Sequence, residues 1–366
     1  MTEISIFIPV YKESEQLPSI LDKLVVQDFN KEIFVSIDAP TEAFLEIMKR
    51  FNTVKFVVNK ERIGKANALN NSVKLSSGKV LLFLDADLEL PDESDFLKKI
   101  VAEMQHTDVL DIKKKVAKKS FLSKMAYYEY FTFNVSSWLA STLLRKCPAA
   151  NGAAFAIKRE TFDSVKGFRK VVAEDIDIAT RAFLDDQDFA YTKEVEVKNV
   201  VHSNWKTWFR QRQRWAIGQA LWLKEFYKDL LKKCIKKPHI FLPGLFFLYP
   251  SLIWLPLNLL LPSAWTYDFL WTFSWFLAVK FNMALPVFVV SMITADLLKA
   301  VFISLTSFAV MAIIFYTFSK KLGFEMKLHE LFVYYFFYSI VWLTIIAIGY
   351  IQVLFFRKKV APDWIT

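Results

Sequence analysis

Between residues 240 and 261 the chain carries no charged side chain, and no other feature restricts its fold more. A stretch this long and apolar can cross the hydrocarbon core of a bilayer, where the backbone must satisfy its own hydrogen bonds as a helix. The pattern recurs. Residues 269–295 contain Lys280 as their sole charged residue, and 300–318 and 331–356 contain none. Four crossings would return Arg357, Lys358 and Lys359 to the side of the N-terminal part, as the positive-inside rule prefers. Three crossings fit as well, if the middle region supplies one long helix or an interfacial piece. Asp296 and Lys299 then mark a loop or, less simply, a buried polar pair.

Composition agrees with a chain that lies partly in lipid. Of 366 residues 54% are hydrophobic, with 36 Phe and 11 Trp, and the mean hydropathy is +0.27; typical soluble domains fall below this. The net charge of +10 admits nucleic acid or an anionic membrane surface as partner. Lys232, Lys233, Lys236 and Lys237 stand directly before the first apolar stretch, which favours the membrane and argues against nucleic acid. Cys147 and Cys234 are far apart, and His106, His202, His239 and His329 form no paired motif. Neither a disulfide framework nor structural zinc is expected. The apolar run that opens the chain ends at Pro9, too short for a signal peptide, so the N-terminal part is expected in the cytoplasm.

The first two hundred residues alternate short apolar runs with helical patterns. Residues 4–9, 33–37, 54–58 and 80–84 read as buried strands, and 15–28, 41–51 and 65–75 as helices between them. This succession predicts an α/β fold with a mostly parallel, Rossmann-like sheet covered on both faces. Phe96, Leu97, Ile100, Val101 and Met104 repeat at helical spacing, and further strands are expected at 152–157 and 189–197. Ligands of such sheets bind beyond the carboxyl ends of the strands. Asp38 follows one strand and Asp85 another, so both acids belong at that mouth.

The segment 203–226 mixes Trp205, Trp208, Phe209, Trp215, Trp222 and Phe226 with Lys206, Arg210, Arg212 and Arg214, the composition of an amphipathic helix in the headgroup region. The aromatic segment 121–144 is compatible with a membrane contact or with a buried helix. The chain thus divides into a cytoplasmic domain at 1–202, amphipathic interface helices at 203–238 and a transmembrane part with three or four helices at 239–366.

Three short motifs could carry chemistry. Asp85-Ala86-Asp87 offers two carboxylates at a strand end, able to hold Mn2+ or Mg2+ together with water and phosphate oxygens, or simply to form a solvated turn. Glu174-Asp175 can supply a base, and with Asp177 also suits the first turn of a helix. In Gln211-Arg212-Gln213-Arg214-Trp215 an arginine fork can meet phosphate and an indole can meet a sugar ring. For Arg210 and Arg212 the expected partners are lipid phosphates.

Taken in order, an Asp, a DxD, an ED and a QxxRW resemble glycosyltransferase family 2, in its cellulose-synthase-like membrane branch. The opening Ile6-Phe7-Ile8-Pro9-Val10-Tyr11-Lys12-Glu13 and the stretch Arg62-Ile63-Gly64-Lys65-Ala66-Asn67-Ala68-Leu69-Asn70 look like that family, as does Asn151-Gly152. The resemblance covers about residues 3–222 and implies a GT-A fold. It implies donor contacts at Pro9, Tyr11, Glu13, Asp38, Lys65, Asp85, Gln211 and Arg214, and a metal on Asp85 and Asp87. Asp175 is implied as base, Glu174 as its orienting or acceptor-binding neighbour, and Trp215 as an acceptor contact. The chain departs from the pattern at Lys12, at Ala173 and in the single acid of Asp38-Ala39-Pro40.

The expected activity is metal-dependent, inverting transfer of a hexose, mannose ahead of others, from a GDP- or UDP-sugar. The acceptor is expected to be membrane-held and polyprenyl-linked, or another glycan, with membrane lipids as further partners. A polyprenyl-phosphate sugar synthase and a short polysaccharide synthase are the enzymatic alternatives, and a basic membrane adaptor is the non-enzymatic one.

Overall fold

The structure, a computed structural model, describes residues 2–201, 204–238 and 287–356, the stretch 287–300 as backbone only, and the isolated positions 268, 272, 276, 279 and 280. The apolar segment 240–261, most of 269–295, His202, His239, the Asp296 and Lys299 side chains and Arg357–Lys359 lie outside the described residues. Two compact units are present, one drawn from Met1–Pro243 with Phe336–Thr366 and one from Gly244–Tyr335.

The first unit is built on an eight-stranded sheet in the order β3-β2-β1-β4-β7-β6-β8-β5. β1 (Ile4–Tyr11), β2 (Lys31–Asp38), β3 (Lys55–Asn59) and β4 (Val80–Leu84) run parallel. Beyond them β7 (Ala154–Lys158) is antiparallel to both β4 and β6 (Val109–Val116). β8 (Phe189–Asn199) runs parallel to β6, and the two-residue β5 (Leu88–Glu89) closes the far edge. The chain steps outward from β1 to β2 and β3, then returns to place β4 on the other side of β1. That reversal opens a crevice at the carboxyl ends of β1 and β4.

Apolar spacing explains the covering helices. α1 (Leu17–Val25) starts with a proline in its first turn and buries Leu17, Ile20, Leu21 and Leu24, a stripe at helical spacing. α2 (Glu42–Arg50) is capped by the Thr41 hydroxyl, which accepts from the Phe44 amide. α3 (Lys65–Lys74) and α4 (Phe96–Met104) complete the layers. Across one face Phe34, Phe7, Phe83 and Phe155 stack in a row, with centroids 5.4, 5.2 and 5.1 Å apart. Offset stacking of this kind adds to area burial and pins strand register.

One element departs from expectation, and one open alternative is decided. β6 is not apparent in the sequence, because Asp111, Lys113 and Lys114 interrupt its apolar residues. Those charges are buried in pairs: Lys114 with Asp111, and Lys113 with Glu196 at 2.8 Å. The segment 121–144 resolves to a core helix, α5 (Phe121–Leu139), followed by a π-helical turn, Ala140–Leu144. Its buried residues lie on all sides, so it does not lie along a membrane.

After the short α6 (Arg159–Ser164) and α7 (Glu174–Leu184), a 32-residue helix, α8 (Trp205–Lys236), carries the QxxRW motif. Further helices among the described residues are α9 (Val287–Leu322), α10 (Leu328–Val333) and α11 (Ser339–Leu354). Among the described residues two helical stretches are long and apolar enough to cross a bilayer, Val301–Leu322 and Leu328–Leu354, each with mean hydropathy 2.1. Only 22% of each is buried within the protein, whereas a core helix such as α5 is covered on all sides.

Candidate active site

The crevice between β1 and β4 collects the acids expected there. Asp38 ends β2 and is buried. Its Oδ1 accepts from the Asn59 amide at 2.9 Å, and its Oδ2 accepts from the backbone amides of Ile63 at 3.0 Å and Gly64 at 2.9 Å. Gly64 has a φ of 88°, a conformation that costs glycine little, and it starts α3. Asp38 therefore anchors the loop that delivers Lys65.

Lys65 Nζ lies 2.8 Å from Asp85 and 3.2 Å from Glu174. Burial opposes its charge, but Asp85 and Glu174 hold the ammonium above its usual range. Asp85 follows the fully buried β4, and its amide donates to the Ala153 carbonyl at 2.8 Å. Ser14 binds the turn from the β1 side: its hydroxyl donates to the Ala86 carbonyl at 2.5 Å. Loss of water contacts in the concave mouth, together with the charge of Asp85, pushes Asp87 up to about 7, although its side chain still reaches solvent.

On the opposite wall Glu174, Asp175 and Asp177 occupy the first turn of α7, where the helix dipole favours negative charge. Asp175 accepts from the Gly152 amide through Oδ2 and from the Ile176 amide through Oδ1, both at 2.8 Å. Burial and the neighbouring Glu174 charge nevertheless raise its carboxyl to about 6. Pro9, Lys65, Asp85, Gly152, Glu174 and Asp175 line one cleft.

Asn70 and Asp177 also make contacts that their motifs do not indicate. Asn70 brackets the backbone of Phe168, accepting from its amide at 3.0 Å and donating to its carbonyl at 2.8 Å. Buried Asp177 pairs with Arg169 and, at 2.6 Å, with Arg181. These contacts hold the loop that enters α7. Nothing local in the sequence marks them, since Asn70 and Phe168 are 98 residues apart.

The remaining expected residues fall into two groups. Tyr11 stands at the end of β1 with the Arg62 guanidinium 4.5 Å over its ring, and Glu13 accepts from Thr41 at 3.0 Å. Gln211, Arg214 and Trp215 on α8 are half-buried but do not line the cleft. The helix meets the site through Gly218 instead, where an added methyl would come within 3.3 Å of Ala173 Cβ, beside Glu174. The expectation for Arg212 is corrected. It is 1% exposed and pairs with Glu129 at 2.8 Å, so it is withdrawn from lipid phosphates, while Arg210 remains exposed.

No three His, Cys, Asp or Glu side chains converge as a metal centre among the described residues. Asp85 and Asp87 still fit a hard divalent cation whose other ligands are water and donor phosphate oxygens. Asp87 is raised by burial and by the negative charge of Asp85 beside it, and a cation relieves that second contribution. Lys65 already holds one oxygen of Asp85, which leaves Asp87 the freer ligand.

Residues 5–162 match the profile of glycosyl transferase family 2. The chain carries a family 2 glycosyltransferase domain. This glycosyltransferase domain has the GT-A fold: a mannosyltransferase from Pyrobaculum calidifontis, solved in complex with GDP-Man and Mn2+, superposes with a TM-score of 0.55 at 19% identity, over 97% of this chain and 88% of that one. A probable glucomannan 4-beta-mannosyltransferase of Oryza sativa subsp. japonica is 27% identical over 61% of this chain and 42% of its own length. A poly-beta-1,6-N-acetyl-D-glucosamine synthase of Staphylococcus epidermidis is 25% identical over 63% and 58%. The chain thus spans about half the length of these curated relatives.

Proposed function

We propose that the protein transfers a hexose from a nucleotide-diphosphate sugar to a membrane-held acceptor, inverting the anomeric carbon. The observation that carries this reading is the convergence of Lys65, Asp85, Glu174 and Asp175 on one cleft at the sheet's switch point. Tyr11, Glu13 and the loop anchored by Asp38 sit where the base and ribose of a donor would enter, with Pro9 at the floor. Lys65 would meet the diphosphate once it leaves Asp85. Asp85 and Asp87 would hold Mn2+ or Mg2+, which supplies charge neutralisation for the departing diphosphate.

Asp175 suits the role of base. Two backbone amides fix its carboxylate, and a carboxyl near 6 is ionised at neutral pH yet basic enough to accept a hydroxyl proton. The acceptor oxygen forms its bond to C1 as its proton passes to Asp175. The C1–O bond to phosphate breaks on the opposite face, and the electron pair leaves with the diphosphate. Glu174 orients Lys65, and Gln211, Arg214 and Trp215, which stand on α8 outside the cleft lining, would reach the acceptor and phosphates only once a bound donor extends beyond the cleft toward α8.

Membrane attachment draws support from the two apolar stretches, each of which carries large apolar side chains in exposed positions, Ile313 and Tyr316 in one and Ile340 and Ile351 in the other. The relatives' names favour mannose or N-acetylglucosamine as the sugar, and a polyprenyl-linked acceptor follows from the membrane setting. A polyprenyl-phosphate acceptor is the second reading, since a phosphate nucleophile needs no base. The deciding experiment incubates detergent-purified protein and Mn2+ with UDP- and GDP-sugars, with and without polyprenyl lipids, and follows released nucleotide. Asp87→Asn and Asp175→Asn should abolish transfer. Full activity in both variants refutes the reading, and loss in Asp87→Asn alone favours the phosphate acceptor.

A further inference from the structure

A buried polar chain links the C-terminal apolar helix to the QxxRW motif. Tyr338 lies in the π-helical turn Tyr334–Tyr338, within the apolar stretch Leu328–Leu354. Its hydroxyl donates to Glu129 Oε2 at 2.7 Å and accepts from Trp208 Nε1 at 3.1 Å. Arg212 Nη2 donates to the same Glu129 oxygen at 2.8 Å, and Arg212 Nη1 donates to Gln211 Oε1 at 2.7 Å. Glu129, Arg212 and Trp208 are each 2% exposed or less. The Arg212 guanidinium also sits 4.2 Å over the Trp215 ring and 5.8 Å over Trp342.

Hydrogen-bond chemistry gives this chain a direction. A guanidinium only donates, so the Gln211 atom facing it must be the amide oxygen. The Gln211 NH2 is then turned away from Arg212 as a pure donor, suited to an anionic oxygen. An ion pair this deeply buried stabilises little, because desolvation offsets its Coulomb gain, whereas it specifies geometry well.

We infer that Tyr338, Glu129 and Arg212 are positioning residues that set the Gln211 amide with its NH2 toward donor diphosphate. The inference rests on the transferase reading above. It makes the apolar helix a working part of the catalytic unit as well as an anchor. The close approach of the two helices agrees: a Cβ on Gly349 of α11 would lie 2.8 Å from that of Ala216 on α8, so the backbones pack without a side chain between them.

Nucleotide binding to the full-length chain in detergent with Mn2+, measured by calorimetry, tests this. Tyr338→Phe should weaken GDP or UDP binding about tenfold, the loss of roughly 1.4 kcal/mol, while GMP or UMP binding holds within about twofold. Gln211→Glu keeps an acceptor for Arg212 but loses the NH2 donor, and should show the same selective loss. The double variant should bind no more weakly than Gln211→Glu alone, as expected of residues acting in one chain. Equal losses for mono- and diphosphates, no loss, or multiplying losses would each overturn the inference. If the unaltered chain binds no nucleotide, the transferase reading fails, and amide hydrogen exchange still decides the lock. Faster exchange across 205–218 in Tyr338→Phe supports it, and unchanged exchange overturns it.

Discussion

The backbone amide of Gly152 donates to Oδ2 of Asp175 at 2.8 Å, so the turn that leads into β7 fixes the carboxylate that faces the cleft. Burial and Glu174 raise that carboxyl to about 6. A base acts as its carboxylate, so kcat should climb about tenfold per pH unit below this value and level off above it. Folding stability should move the other way. A raised folded-state pKa means the native chain holds the proton longer than the unfolded one, whose carboxyl titrates near ~3.9. Its contribution is complete below that point and is lost as pH rises through about 6. Transfer rates and denaturant unfolding at matched pH values check both slopes.

Gly152 has no space for a side chain. An added Cβ would sit 2.6 Å from Asp175 Oδ2, inside van der Waals contact. Gly152→Ala should therefore displace the carboxylate, with an overpacking cost of about 1–3 kcal/mol and a fall in kcat of at least about 100-fold, the scale of general-base catalysis. Donor KM should change less than kcat, because the atoms nearest the added methyl belong to Asp175 and to neither Lys65 nor Asp85. A variant that keeps its kcat would show that Asp175 is not held through this contact.

Much of this site could be read in the sequence because its chemistry stands at element ends. Asp38, Lys65, Asp85 and Glu174 each begin or follow a strongly patterned strand or helix, and the fold brings such ends to one mouth. What could not be read rests on distant partners. Arg212 looks like a lipid-facing arginine until Glu129, 83 residues earlier, is seen to pair with it. β6 loses its strand signature to Asp111, Lys113 and Lys114, whose burial depends on Glu196 and on each other. Local periodicity carries no information about such pairs.

Asp38 gathers three N–H donors on one buried carboxylate, from Asn59, Ile63 and Gly64. Asp38→Asn preserves shape but offers one oxygen, so at least one of these donors loses its acceptor. Leaving a buried donor unpaired costs about 1–3 kcal/mol. The variant should melt earlier, with a raised donor KM as the Gly64–Lys65 junction loosens. An unchanged melting temperature with a selective loss for one nucleotide base would instead make Asp38 a direct base contact.

Asp177 is the acid of the EDID sequence that faces away from chemistry. Buried at 2% exposure, it accepts from Arg169 and Arg181, and Arg169 reaches on to Glu225 of α8 at 2.6 Å. Arg181 also donates to the Gly167 carbonyl at 2.8 Å, so this one carboxylate gathers the loop before α7 and ties it to the helix. Asp177→Asn leaves Arg181 without its counter-charge and Arg169 with Glu225 alone. Complete burial of both would cost roughly 3–5 kcal/mol. Arg169 is 39% exposed and can turn to water, so a loss nearer about 2 kcal/mol is expected. Activity should fall with stability and recover partly at low temperature, since Asp177 shapes the loop and does not meet substrate. Urea unfolding alongside transfer rates checks this: lost transfer at undiminished stability would place Asp177 in the reaction itself.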